Sequence, residues 1–319
     1  MKKIFVVGII LALVIIISVF SSETPSPDIL WERTYDSGSY DKGLKVGLDS
    51  LDNIIVVGRS GWTESYKGDC VIIKYDPEGN EIWRTSENKM IEYASFAIDS
   101  KNNILVLGMK DNPKEYLGYK YYQEDYIIKY DNEGKKIWEL IVPVGVVPRS
   151  IVFDKSDNFI LSGYYAASKF YLVKYDQNGK VIWERKYYDV KMTMPEDIVI
   201  DSQNNIIVTG YSSNGSNDDY YTIKYDSNGN VIWSKRYNGG RLDNSIDVAI
   251  DSQNNVIISG YSNNGANLDY YTIKYDSNGN VIWSKAYNGG GDDYGEDVTI
   301  DKYNNIIITG HSFLSGSYD

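Results

Sequence analysis

After residue 28 the apolar positions fall in short runs of four to seven residues, rich in β-branched and aromatic side chains and closed by Asp, Asn or Gly. Runs of this length with such boundaries predict β-strands, and no stretch shows the apolar period and caps of a helix. The runs recur as a unit of about fifty residues, and the copies at 200–249 and 250–299 are nearly the same text. Each unit predicts four strands. The first, strand A, ends in Asp at 49, 99, 154, 201, 251 and 301; the second, B, covers 53–58, 103–108, 158–163, 205–210, 255–260 and 305–310. The third, C, ends at Asp76, Asp131, Asp176, Asp226 and Asp276, and the fourth, D, is centred on Trp31, Trp83, Trp138, Trp183, Trp233 and Trp283.

One unit is too small and open to bury its own apolar surface, so the units must stack on one another. Tandem four-stranded antiparallel units predict an all-β chain, a β-propeller of about six blades. The Asn-Gly pairs at 178–179, 228–229 and 278–279 supply the positive φ that tight hairpins require. The count is six A, six B, five C and six D strands, because at most residues 317–319 begin a sixth C strand. A ring closed by the Trp31 strand would lack most of one C strand and leave backbone groups unpaired, which predicts a truncated product.

The pattern AIDSQNNVIISGYS…LDYYTIKYDSNGNVIWSKAYNGG resembles the bacterial SBBP-type β-propeller repeat, over about residues 31–310. The resemblance implies blades with strand A nearest a central channel, on secreted or surface proteins. It names no ligand.

The N-terminus carries two lysines, a charge-free apolar run at 4–20, then small polar residues. That layout predicts residues 1–22 as a secretory signal cleaved after Ser21, with an uncleaved anchor as the alternative. Residues 23–28 (ETPSPD) form a linker, and 29–319 the repeat domain. The expected location is therefore exported: secreted, periplasmic or cell-surface. The net charge of −12, without a basic stripe, argues against nucleic-acid partners. Contact with a membrane is expected only through an uncleaved N-terminus. Cys70 is the single cysteine, so no internal disulfide forms; it holds the place of Tyr220 and Tyr270 and reads as a core filler.

The A–B and C–D turns are constant between copies, whereas the B–C and D–A loops vary. In a propeller these two loops share one face, so a variable rim is where recognition is expected. The rim candidates for ligand binding are Tyr211, Tyr261, Arg241, Asp243, Asp292, Asp293 and Tyr294. Asp292, Asp293, Glu296 and Asp297 are the densest acidic cluster there, which reads as a solvated rim. The repeated strand-A Asp reads as a turn cap. The repeated Lys74, Lys129, Lys174, Lys224 and Lys274 are expected along a neighbouring blade with the ammonium paired or solvated, and the repeated Trp in blade-to-blade packing. DSNGN at 226–230 has Gly in the fourth place, not the sixth of a calcium loop, so a hairpin suffices.

His311 is the only histidine, which leaves no material for a Ser-His-Asp or zinc-His site, and no phosphate loop is present. No catalytic residue, metal ligand or cofactor is assigned. The sequence predicts a non-enzymatic exported propeller that binds a protein or glycan through its rim. The alternatives are a polysaccharide-active enzyme using rim carboxylates and an envelope-assembly scaffold.

Overall fold

Every unit begins its sheet with the same local device. Asp201 ends strand A and its Oδ1 accepts the N–H of Gln203 and Asn205 (2.8 and 2.9 Å), while Oδ2 accepts the Asn205 amide (2.8 Å). Asp49, Asp99, Asp154, Asp251 and Asp301 cap their turns in the same way. The turn places Asn204, Asn254 and Asn304 at φ of 65, 60 and 61°, the left-handed region that Asn tolerates. The C–D turn instead puts positive φ on Gly229 and Gly279 alone, whose N–H groups donate to the Asp226 and Asp276 carbonyls (both 3.0 Å), and the fourth strand then bulges at Ile232 and Ile282. That is a three-residue turn with a left-handed Gly, not the two-residue loop in which Asn also turns left-handed.

A computed structural model of the chain describes residues 2–7, 15–20, 28–62, 68–88, 90–112, 122–165, 169–187, 194–213, 217–263, 265–314 and 317–318. The expected cleavage point after Ser21 and nearly all of the linker lie outside the described residues. Two compact units divide the chain, Met1–Val144 and Gly145–Asp319. No helix occurs among the described residues.

In the first unit Lys2–Val7, Ile15–Phe20 and Asp28–Ile29 form a small antiparallel sheet. Two four-stranded sheets follow in sequential strand order: Tyr40–Leu48, Ile54–Trp62, Asp69–Tyr75, Glu81–Glu87, and Met90–Ile98, Ile104–Asn112, Tyr122–Tyr130, Lys136–Ile141. Trp31 lies outside any strand, so the expected D strand there is absent; its indole nevertheless donates to the Pro77 carbonyl (3.1 Å). Cys70 is 1 % exposed within the sheet-to-sheet core, and burial pushes its thiol up to about 12.

The second unit holds three further four-stranded sheets: Val146–Phe153, Phe159–Tyr165, Lys169–Tyr175, Val181–Tyr187; Met194–Ile200, Ile206–Ser213, Asp218–Tyr225, Val231–Tyr237; and Asp243–Ile250, Val256–Asn263, Leu268–Tyr275, Val281–Tyr287. Its last sheet has Asp293–Ile300, Ile306–Leu314 and the two residues Ser317–Tyr318. Among the described residues, five four-stranded sheets and the last, shorter one match the expected repeat arithmetic except for the strand expected at Trp31.

The core lies in the seams between successive sheets. Ile207, Tyr220, Val248, Val256, Ile258, Ile273 and Tyr275 form one such cluster, with Trp233 and Tyr237 against it. Trp183 and Trp233 donate their indole N–H to the Ser227 and Ser277 carbonyls of the next sheet's C–D turn (3.2 and 3.1 Å). The tryptophans therefore bind one sheet to the next, as expected. The lysines do reach the neighbouring sheet with the ammonium paired, as expected, and the pairing partner lies in their own sheet. Lys224 Nζ pairs with Asp201 of its own sheet at 2.8 Å and only then reaches the Ser277 carbonyl of the next (3.2 Å). Lys74, Lys129, Lys174 and Lys274 pair with Asp49, Asp99, Asp154 and Asp251 in the same register. The Asp thus serves two purposes, capping a turn and neutralising a buried ammonium.

Candidate functional site

The first strands of the second unit's four sheets lie side by side. Each carries one bulge, between Pro148/Ser150, Pro195/Asp197, Ser245/Asp247 and Gly295/Asp297. A bulge leaves one residue outside the ladder and re-aims its side chain. The residues so singled out are Arg149, Glu196, Ile246 and Glu296.

Beside them runs a row from the second strands: Tyr164, Tyr211, Tyr261 and His311, paired across the ladder with Val147, Met194, Asn244 and Tyr294. Each of the four sits where its strand enters the variable loop. The Tyr294 ring stacks on His311 (4.9 Å, 15°) and meets Tyr261 edge-on at 4.9 Å. Asn244 Nδ2 donates to the Tyr261 hydroxyl (2.9 Å), Glu296 Oε1 lies 3.0 Å from His311 Nδ1, and the Arg149 guanidinium lies 5.7 Å from the Tyr164 ring centre. All of these aromatic side chains are half-buried.

Burial pushes the Glu196 carboxyl above the usual range; Arg149 opposes that shift and Asp197 adds to it. Burial likewise raises the Tyr211 and Tyr261 hydroxyls, and Glu196 adds to both. The next residue of each of the last three first strands is an Asp. Asp197 accepts from Ser150 Oγ (2.8 Å) and Val248 N–H (3.4 Å), and Asp247 from Val298 N–H (2.6 Å). Asp247 keeps some open surface, yet protein crowds it on most sides. Desolvation, then the flanking Asp197 and Asp297, raises its carboxyl well above the ordinary value.

An acid that keeps its proton in the fold and releases it on unfolding loses stability as pH rises above its unfolded value of about 4. Asp247→Asn retains the acceptor for Val298 N–H without the charge. The variant is expected to melt a few degrees above wild type at pH 7, with a gap that closes toward pH 4. Thermal melts across that range check it; a lower melting point at pH 7 contradicts it.

The expected rim residues divide in two. Tyr211, Tyr261 and Tyr294 belong to the aromatic row. Asp243 and Asp293 are fully buried and hold the turns before them: Gly239 and Gly289 N–H donate to their Oδ2 (both 2.6 Å), and Ser262 and Ser312 hydroxyls to Oδ1. Asp292 Oδ1 accepts Leu268 N–H (2.9 Å), and Arg241 is exposed with its carbonyl taking the Asn217 amide (2.9 Å). The B–C and D–A loops do meet, through this last contact and through Asn263 N–H to Leu242 O (3.0 Å) and Phe313 N–H to Asp292 O (2.8 Å). Sequence reasoning missed Arg149, Glu196 and Asn244. Their one signal is position, the fifth residue before each turn Asp for Arg149 and Glu196.

No family model matches the chain. An uncharacterised WD repeat-containing protein of Acanthamoeba polyphaga mimivirus is 24% identical over 185 residues, 43% of this chain and 13% of that protein, so the chain spans a small part of that relative's length. Among solved structures, Chaetomium thermophilum Raptor superposes with a TM-score of 0.55 at 10% identity, over 86% of this chain and 24% of that one. A Bacteroides caccae protein of unknown function gives 0.51 at 14% identity, over 86% and 90%. The β-propeller domain of the Trilobed protease from Pyrococcus furiosus, described as having an open velcro topology, gives 0.50 at 13% identity, over 87% and 79%. At these identities the likeness speaks for fold alone. It supports the β-propeller part of the expectation and leaves the SBBP-type family without a match. What this chain is similar to is a β-propeller repeat protein.

Proposed function

We propose that the chain is an exported, non-enzymatic binding module that holds a glycan at the aromatic row of Tyr211, Tyr261, Tyr294 and His311. The observation that carries this reading is the row itself: half-buried rings, flanked by the polar groups of Asn244, Glu196 and Arg149. Binding sites combine apolar and aromatic lining with a few placed polar groups. A sugar ring offers the complement, C–H faces for the tyrosines and hydroxyls for the amide and carboxylates. Tyr211 and Tyr261 are also the rim candidates legible in the sequence.

The half-buried Glu196 carboxyl favours one second reading, a polysaccharide-active enzyme, because a general acid needs a raised pKa. A glycan array with the whole chain separates the two. Saturable binding without product release is expected, with Tyr261→Ala weakening it about tenfold, on the scale of one lost aromatic anchor. Shortened oligosaccharides that disappear in Glu196→Gln would favour the enzyme. No binding to any glycan would overturn both readings.

A further inference from the structure

Two of the residues that the bulges turn out of the ladder are ionisable and lack partners. Arg149, on the first strand of the second unit's first sheet, is half-buried, and among the described residues its guanidinium makes no ion pair. Its one hydrogen bond there is a long contact from Nη2 to Met194 Sδ (3.8 Å), and its Nε is buried with no acceptor. By contrast, Arg84 and Arg236 pair with Glu81 and Asp219, and Arg185 reaches the Glu184 and Asn228 carbonyls. A cation drawn partly out of water without an acceptor is costly unless a ligand supplies one.

Glu196, on the first strand of the next sheet, is also half-buried, and among the described residues no hydrogen bond holds its carboxyl. The groups that bear on it are Arg149 from the preceding sheet, Asp197 beside it, and the Tyr211 and Tyr261 hydroxyls. Asp218, on the third strand of the same sheet, bears on both hydroxyls in turn. Asp197 is already engaged by Ser150 Oγ and Val248 N–H, which leaves Arg149 and Glu196 as the pair open to a ligand.

What fits such a pair is an anion with two oxygens in one plane. A guanidinium presents parallel N–H donors that match a carboxylate, and a glutamic acid that carries its proton adds an O–H donor. Burial favours that protonated form of Glu196, and Asp197 favours it further, while Arg149 opposes it. The chain's net charge of −12 does not forbid an anion here. Charges beyond about 8 Å are screened at physiological ionic strength, and a half-buried contact is screened much less.

We propose that Arg149 and Glu196 select an acidic glycan: the carboxylate of a hexuronic acid unit lies between the guanidinium and the Glu196 carboxyl, with the sugar ring against Tyr211 and Tyr261. This rests on the glycan-binding reading of the aromatic row and adds the class of sugar.

Hexuronic acid oligosaccharides, each with its methyl ester as the neutral counterpart, test this against the whole chain by titration calorimetry. The acids are expected to bind, and the esters at least about tenfold more weakly, the scale of one charge-assisted contact. Arg149→Met should abolish the difference between acid and ester, whereas a merely structural loss would weaken both alike. Should that variant fold poorly, the acid–ester comparison on wild-type protein still decides. In wild type the affinity for the acids should fall as pH rises from about 5.5 to about 8, as Glu196 loses its proton; in Glu196→Gln, which keeps a donor throughout, it should not. Acids and esters that bind equally, with Tyr261→Ala weakening both, would overturn the carboxylate assignment and leave the glycan reading standing. No binding by any glycan would overturn both. A polyglutamate peptide that binds as tightly as the acids would overturn the inference as well, since charge alone would then be read.

Discussion

Lys224→Ala is expected to lower stability by about 3–5 kcal/mol, the cost of removing one partner from a buried ion pair. Lys224 is 3% and Asp201 2% exposed, and their 2.8 Å contact joins the first-strand turn to the third strand. Burial alone would push the Asp201 carboxyl up, but Lys224, the Asn205 amide and the turn N–H groups outweigh it and hold it below the usual range. Such a group contributes stability above its unfolded value of about 4, and that contribution is lost as pH falls through the folded value. The deficit of Lys224→Ala should therefore narrow in acid, where Asp201 takes a proton. Urea unfolding at pH 7 and pH 3 measures both effects. Adding Asp201→Asn to the variant should recover part of the loss, since no uncompensated charge then remains. A deficit that is small at pH 7, or grows in acid, contradicts the assignment.

Trp233→Ala should cost about 3 kcal/mol, the lower end for a large aromatic because the indole is half-exposed. Its ring covers Gly279 and its N–H donates to Ser277 O, so the substitution opens a seam and leaves that carbonyl with Lys224 Nζ as donor. Trp283 has the same place in the next repeat and is half-buried too, but it lines an open groove with Tyr270, Tyr287, Ile306 and Ile308. Trp283→Ala should therefore cost less, about 1 kcal/mol, since no closed cavity is left behind. Two identical substitutions in nearly identical sequence then differ through packing alone. Equal losses would mean that Trp283 is covered in solution.

Turns and strands were legible because their causes are local. The Asp that closes strand A needs only the residues two and four ahead of it, all within one short segment. Cys70 was legible as core because it holds the place of Tyr220 and Tyr270 in the later copies. The Lys224–Asp201 pair was not, because it depends on how strands A, B and C are registered rather than on neighbours in sequence.

The candidate site divides on the same line. Tyr211 and Tyr261 stood out because the repeat marks the point where each constant strand becomes a variable loop. Glu196 did not, because MPEDIVID and NSIDVAID have equal length and nothing in the text marks the bulge. Asp243 and Asp293 were legible as acidic rim residues, but only the folded turn shows their oxygens held by Gly239 and Gly289.

By itself the sequence determined the strand order within each sheet, the turn chemistry, the incomplete last sheet and the tryptophan seams, since each is repeated and set by residues close along the chain. Tertiary structure alone decided where the lysine charges are neutralised, which first-strand residue leaves the ladder, how the carboxyls of Asp197, Asp247 and Asp297 bear on one another, and that Trp283 faces an open groove. These depend on atoms brought together from separate repeats, and near-identical repeats cannot encode in their text what differs only in what packs against them.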